Sequence, residues 1–92
     1  MTFSWEEEKN RTNLLKLGLS FGVAQFVFDD PLHLSRIERM ENGETRWQTI
    51  GMIEGILLIL VAHTVSGDEE SIRIISARRA TKKERRFYEQ GT

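Results

Sequence analysis

The sequence predicts a single α+β domain, with two helices at the start, an antiparallel β-meander in the middle and one helix at the end. Three observations carry this. Helix-capping patterns and a helical apolar stripe are confined to residues 4–30 and 81–90. Alternating or wholly apolar runs fill residues 34–77. Only tight turns or short loops separate those runs, which argues against parallel βαβ units.

Ser4, with Glu7 three residues on, fits a capping box for a first helix that runs to Leu17 and closes at Gly18. Ser20 caps a shorter second helix in which Phe21, Ala24 and Phe28 recur at the spacing of an apolar stripe, and Asp29-Asp30-Pro31 ends it. Helical spacing accounts for Phe21, Phe26 and Phe28 as core packing, and Phe3 is read the same way. Asn42-Gly43 is a type I′ hairpin signal that sets Leu34–Glu41 antiparallel to residues 44–52. A two-residue turn then places Arg39 opposite Arg46 and Glu38 opposite Trp47; two facing arginines cost stability unless an anion lies between them. Glu54-Gly55 marks a second tight turn. Residues 56–62, apolar on both faces, read as a central strand with His63 at its end. Residues 66–70 read as a loop, and residues 72–77 as the last of four strands. Thr81 and Glu84 form a capping box for a final helix that reaches Gln90.

Composition narrows the function classes. At 92 residues, 39% of them hydrophobic and with one proline, the chain suits one compact body. The absence of cysteine excludes a disulfide framework or a Cys-based zinc site, and two histidines would leave carboxylates as the main ligands of any metal. No cofactor or metal is expected. The first twelve residues lack a secretory pattern, and the longest apolar run falls far short of the ~20 residues of a membrane helix, so a cytoplasmic protein with no membrane partner is expected. No P-loop, GxGxxG, GxSxG or HExxH pattern occurs.

The net charge is −1, but its distribution is uneven. Residues 73–86 hold seven Arg or Lys against Glu84 alone, a stripe suited either to phosphate contact or to a solvated helix face. Lys82 and Lys83 stand in the first helical turn, where the helix dipole disfavours cations by a few tenths of a kcal/mol each. With Arg78, Arg79 and the free N–H groups of that turn, Lys82 can form an anion site. Arginine, lysine, His63 and Tyr88 are an inventory suited to phosphodiester cleavage, because attack by an RNA 2′-hydroxyl needs two protons moved and charge on phosphorus stabilised.

Read in order, residues 44–51 (Glu44-Thr45-Arg46-Trp47-Gln48-Thr49-Ile50-Gly51), then Ala62-His63-Thr64, then residues 72–81, then Glu84-Arg85 and Tyr88-Glu89, closely resemble the BrnT toxins. Trp5-Glu6, Lys9, Asn13, Lys16, Gly18, Phe21, Ala24 and Phe28-Asp29-Asp30-Pro31 extend the resemblance over nearly the whole chain. The resemblance implies a RelE-like fold and an endoribonuclease that stops translation. It also implies a cognate BrnA-type, ribbon-helix-helix antitoxin, through which alone the complex meets operator DNA. Two departures stand out. The family often reads Lys-His-Gly where this chain has Lys16-Leu17-Gly18, and it tends to carry an acid where this chain has Gly22-Val23.

Arg78 and Arg79 are the first candidates for holding the scissile phosphate, although neighbouring strand residues point to opposite faces. Their plain alternative is surface pairing with Glu69 or Glu70. Arg46 is a further phosphate candidate, and Lys16 and His63 are candidate proton-transfer groups, each with a structural alternative. Trp47 is a candidate base-stacking platform, and Lys82, Arg85 and Tyr88 are candidates for contact with RNA. The competing function is a non-catalytic module in which the same stripe grips nucleic acid or an acidic partner. A third is a structural subunit that docks a DNA-binding protein.

Overall fold

The computed structural model describes residues 1–67 and 71–91. Asp68, Glu69 and Glu70 lie outside them, and so does the pairing with Glu69 or Glu70 considered for Arg78 and Arg79. In chain order the elements are β1 (Thr2–Ser4), α1 (Glu7–Leu17), α2 (Phe21–Ala24) continued by a 3-10 turn (Gln25–Asp29), β2 (Leu34–Glu41), β3 (Glu44–Ile53), β4 (Leu57–Ser66), β5 (Ser71–Arg79) and α3 (Lys82–Gln90). The five strands form one sheet in the order β1-β5-β4-β3-β2. Strands β2 to β5 are the expected antiparallel meander, with β4 central. The sheet as a whole is mixed, because β1 pairs in parallel with the start of β5, Phe3 opposite Ile72.

That short strand corrects the reading of the N-terminus. Ser4 belongs to β1, and α1 starts after Glu6, whose side chain makes no capping bond. Glu7 and Glu8 in the first turn, near the positive end of the dipole, favour the start instead. Gly18, at φ 69°, closes the helix as expected. Ser20 accepts a hydrogen bond from the Val23 N–H and caps α2.

The hairpin turn carries positive φ at both Asn42 and Gly43, the backbone that a type I′ turn requires. Arg39 faces Arg46 as expected, but a bulge follows: Glu38 is the extra residue, and Ile37, not Glu38, faces Trp47. From there to Leu34, β2 is displaced by one residue relative to a regular ladder. Arg36 thus comes opposite Gln48 instead of Thr49 and changes face. Anions do lie between the facing arginines. Glu41 is 3.3 Å from Arg39 and 3.2 Å from Arg46, and Glu38 is 3.7 Å from Arg46.

The first face of the sheet carries Ile59, Val61, Ile72, Ile74 and Ala77 and is covered by Leu19, Phe21, Ala24 and Val27. Phe3, Trp5 and Phe28 pack against this core, whereas Phe26, expected inside, is half exposed. Gly51 lets the 3-10 turn sit directly on β3, since a Cβ there would lie 2.6 Å from the Val27 carbonyl oxygen. Asn13 of α1 covers the edge of β5 beyond the end of β1. Its Nδ2 donates to the carbonyls of Leu19 (2.8 Å) and Ala77 (2.9 Å), and its Oδ1 accepts from the Ala77 N–H (3.3 Å). The second face carries Ile50 and Leu58, with Tyr88 of α3 packed on them. Ile56, expected in the central strand, instead sits in the turn and is exposed.

A cationic cleft between the last helix and the second sheet face

The C-terminal helix covers only one end of the second face. Thr81 accepts from the Glu84 N–H at 3.2 Å while Glu84 Oε1 accepts from the Thr81 N–H at 2.9 Å, completing the capping box expected from the sequence. At the far end of the helix the Tyr88 hydroxyl donates to Asp30 Oδ2 at 2.6 Å. Burial pushes the Tyr88 phenol up to about 12. Burial also acts to raise Asp30, but hydrogen bonds from Tyr88 and from the Met52 and Leu32 N–H groups outweigh it and hold the carboxyl below its usual range.

Between this helix and the strands lies a cleft of about 270 Å³. Leu34, Ile50 and Leu60 form its floor, Thr81, Lys83, Glu84 and Phe87 its helix wall, and Arg36 and Gln48 its strand wall. The Arg36 Nε donates to Gln48 Oε1 at 3.0 Å, and the guanidinium stands 5.8 Å from the Phe87 ring centre. Neither Arg36 nor Lys83 pairs with a carboxylate among the described residues.

Arg78 belongs to this side of the sheet, opposite Leu60. It is held in a fork by Glu84, with Nη1 and Nη2 donating to the two carboxylate oxygens at 2.8 and 2.9 Å, and Nη1 also reaches the Arg79 carbonyl. Hydrogen bonding to Glu84 raises the Arg78 value, and the same bonds hold Glu84 down at about 2. A carboxylate so acidic is a poor proton acceptor near neutral pH. Arg46 lies on the same face further along, but Glu38 and Glu41 neutralise it.

The other candidates are scattered. β5 continues through Arg79, so Arg79 faces the first side opposite Ile59, exposed and away from Arg78. His63 is not at a strand end but within β4. It is 3% exposed, shares a 2.7 Å hydrogen bond with Thr49 and meets the edge of the Phe28 ring. Burial pushes its imidazole down to about 4. Trp47, opposite His63, lines a separate first-face cleft with Phe28 and Ser35. Lys16 lines another beside Ile75 and Ser76. On α3, Lys82 is exposed at the first turn and Arg85 lies 3.9 Å from Glu89. Of the nine candidates, then, only Arg78 and Arg46 present their charge to the second face. Arg36, Gln48, Lys83 and Phe87, which line the cleft, were not singled out as site residues from the sequence.

Comparison with known proteins bears on this arrangement. A search of curated protein sequences returns no match. Among solved structures, the 1.1 Å crystal structure of the Brucella abortus ribonuclease toxin BrnT is similar, with a TM-score of 0.64 and 27% sequence identity, covering 89% of this chain and 99% of that one. The family model described as the ribonuclease toxin BrnT of type II toxin–antitoxin systems matches residues 5–84. Most of the chain thus fits that model, and the chain belongs to the BrnT family of ribonuclease toxins.

Proposed function

We propose that this chain is a cytoplasmic endoribonuclease that cuts RNA in the cleft between α3 and the second sheet face, and so stops translation. The observation that carries the reading is the meeting of Arg36 and Lys83 in the lining of one cleft, with Arg78 on the same face, held by Glu84, a carboxylate that lines the cleft. In this scheme Arg36 and Lys83, free of carboxylate partners, contact the phosphate directly. Arg78, pinned by Glu84, adds fixed positive charge behind them. The RNA 2′-oxygen attacks phosphorus and gives its proton to solvent water, and the bond to the 5′-oxygen breaks as that oxygen takes a proton from solvent water, giving a 2′,3′-cyclic phosphate and a 5′-hydroxyl. Since His63 and Lys16 lie outside the cleft, the acceleration rests mainly on stabilising charge as it develops on the phosphoryl oxygens. Lys82 and Arg85 on α3 guide the RNA backbone towards the cleft, Arg79 on the opposite face takes no part in it, and His63, Trp47 and Tyr88 keep structural parts.

A BrnA-type antitoxin of ribbon-helix-helix class, encoded beside the toxin, is the partner proposed to neutralise it and to carry the complex to operator DNA. The lack of an imidazole in the cleft favours one other reading, a module that grips RNA without cutting it. Brief induced expression followed by mapping of RNA 5′ ends separates the two. The wild-type chain is expected to produce new ends, and Arg36→Ala/Arg78→Ala to lose them, since removing one positioned donor alone costs about 10²–10³ in rate. Intact RNA beside arrested growth would contradict the nuclease reading.

A further inference from the structure

Within that reading, we infer that the cleft holds a subsite for one unpaired nucleobase, with Phe87 as its stacking platform and Gln48 reading the base edge. The Phe87 ring is 47% exposed, although its own helix supplies Tyr88 to the core. Its ring borders the apolar Leu34, Ile50 and Leu60, so the lining joins an aromatic side chain and an apolar patch to the charged Arg36, Lys83 and Glu84. A phosphate alone has no use for such a floor; a planar heterocycle flanked by phosphates fits both parts of it. Arg36 stands over the Phe87 ring and beside Gln48, so a base that takes that ring face moves the guanidinium outward, where it can hold the attached phosphate. Because Gln48 Oε1 already accepts from Arg36, its Nε2 is the atom left to donate to a ring nitrogen or carbonyl of the base. A paired base has its edge and both faces occupied, so the subsite selects single-stranded RNA.

The test uses two labelled probes that resist cleavage: a 2′-O-methyl oligoadenylate of about eight residues and the matching oligomer without bases. Their affinities are measured by fluorescence anisotropy for the wild-type chain, Phe87→Ala and Phe87→Trp. Phe87→Ala is expected to weaken binding of the base-bearing probe by roughly 5- to 100-fold, the loss of one stacked base. It should leave the abasic probe unchanged, and Phe87→Trp should retain affinity for both. Equal losses on the two probes, or none on either, would overturn the subsite. Should RNA cleavage persist while Phe87→Ala binds normally, only the subsite falls. Failure of the wild-type chain to bind either probe or to cut RNA would remove the nuclease reading as well.

Discussion

His63 was a reasonable candidate for proton transfer on sequence grounds, and its position gives it a different consequence. The imidazole is shut between Thr49 and Phe28 beneath the first face, and burial pushes it from its ordinary 6.5 to about 4. The unfolded chain therefore takes up a proton in that window which the folded chain refuses. Stability falls as pH drops from 6.5 towards 4, by about 3 kcal/mol in full. Glu84 acts lower on the scale. Its carboxyl is depressed from 4.5 to about 2, so its contribution is present above 4.5 and lost as pH falls towards 2. Urea denaturation at several pH values should show both declines, and His63→Gln should flatten the upper one while leaving the lower. A wild-type profile level between pH 6.5 and 4 would contradict the burial of His63. From the sequence, an imidazole after an apolar run has two readings, and only the sheet pairing, which continues β4 past it to Ser66, separates them.

Elements specified by local chemistry were legible, and those specified by distant partners were not. Asn42-Gly43 and the Thr81–Glu84 box announce themselves because the backbone geometry they need suits few other residues. β1 has no signature in the sequence, because three residues carry no period and its partner, β5, lies almost the whole chain away. The bulge at Glu38 was equally hidden, yet it decides the site: one extra residue brings Arg36 to the same face as Gln48 and Arg78. The cleft in turn depends on how α3 is seated, by its capping box at one end and by Tyr88 on Asp30 at the other. Thr81→Ala should cost about 1 kcal/mol in chemical denaturation, as the loss of an N-cap does. Thr81→Ser, which keeps the hydroxyl, should cost much less. Equal losses from both would place the contribution of Thr81 in its methyl group and not in the cap.

At the scale of the whole molecule, the basic stripe was visible as a segment but not as a surface. Strand alternation sends Arg78 and Arg79 to opposite sides, and Glu84 pairs with Arg78, so the stripe delivers fewer cations to one place than its count suggests. Arg36, from an otherwise mixed-charge strand, makes up the number. The fold thus sorts charges by face, and the second face, away from α1 and α2, is where the chemistry is assigned. Incubating the purified chain with a single-stranded RNA oligonucleotide, and analysing the products by mass spectrometry, tests that assignment most directly. Wild-type protein and a Lys16→Ala variant are predicted to yield 2′,3′-cyclic phosphate ends at similar rates, with Arg36→Ala slowed about 10²–10³-fold. Full activity in Arg36→Ala, with loss of it in Lys16→Ala, would place the chemistry beside α1 and contradict the account.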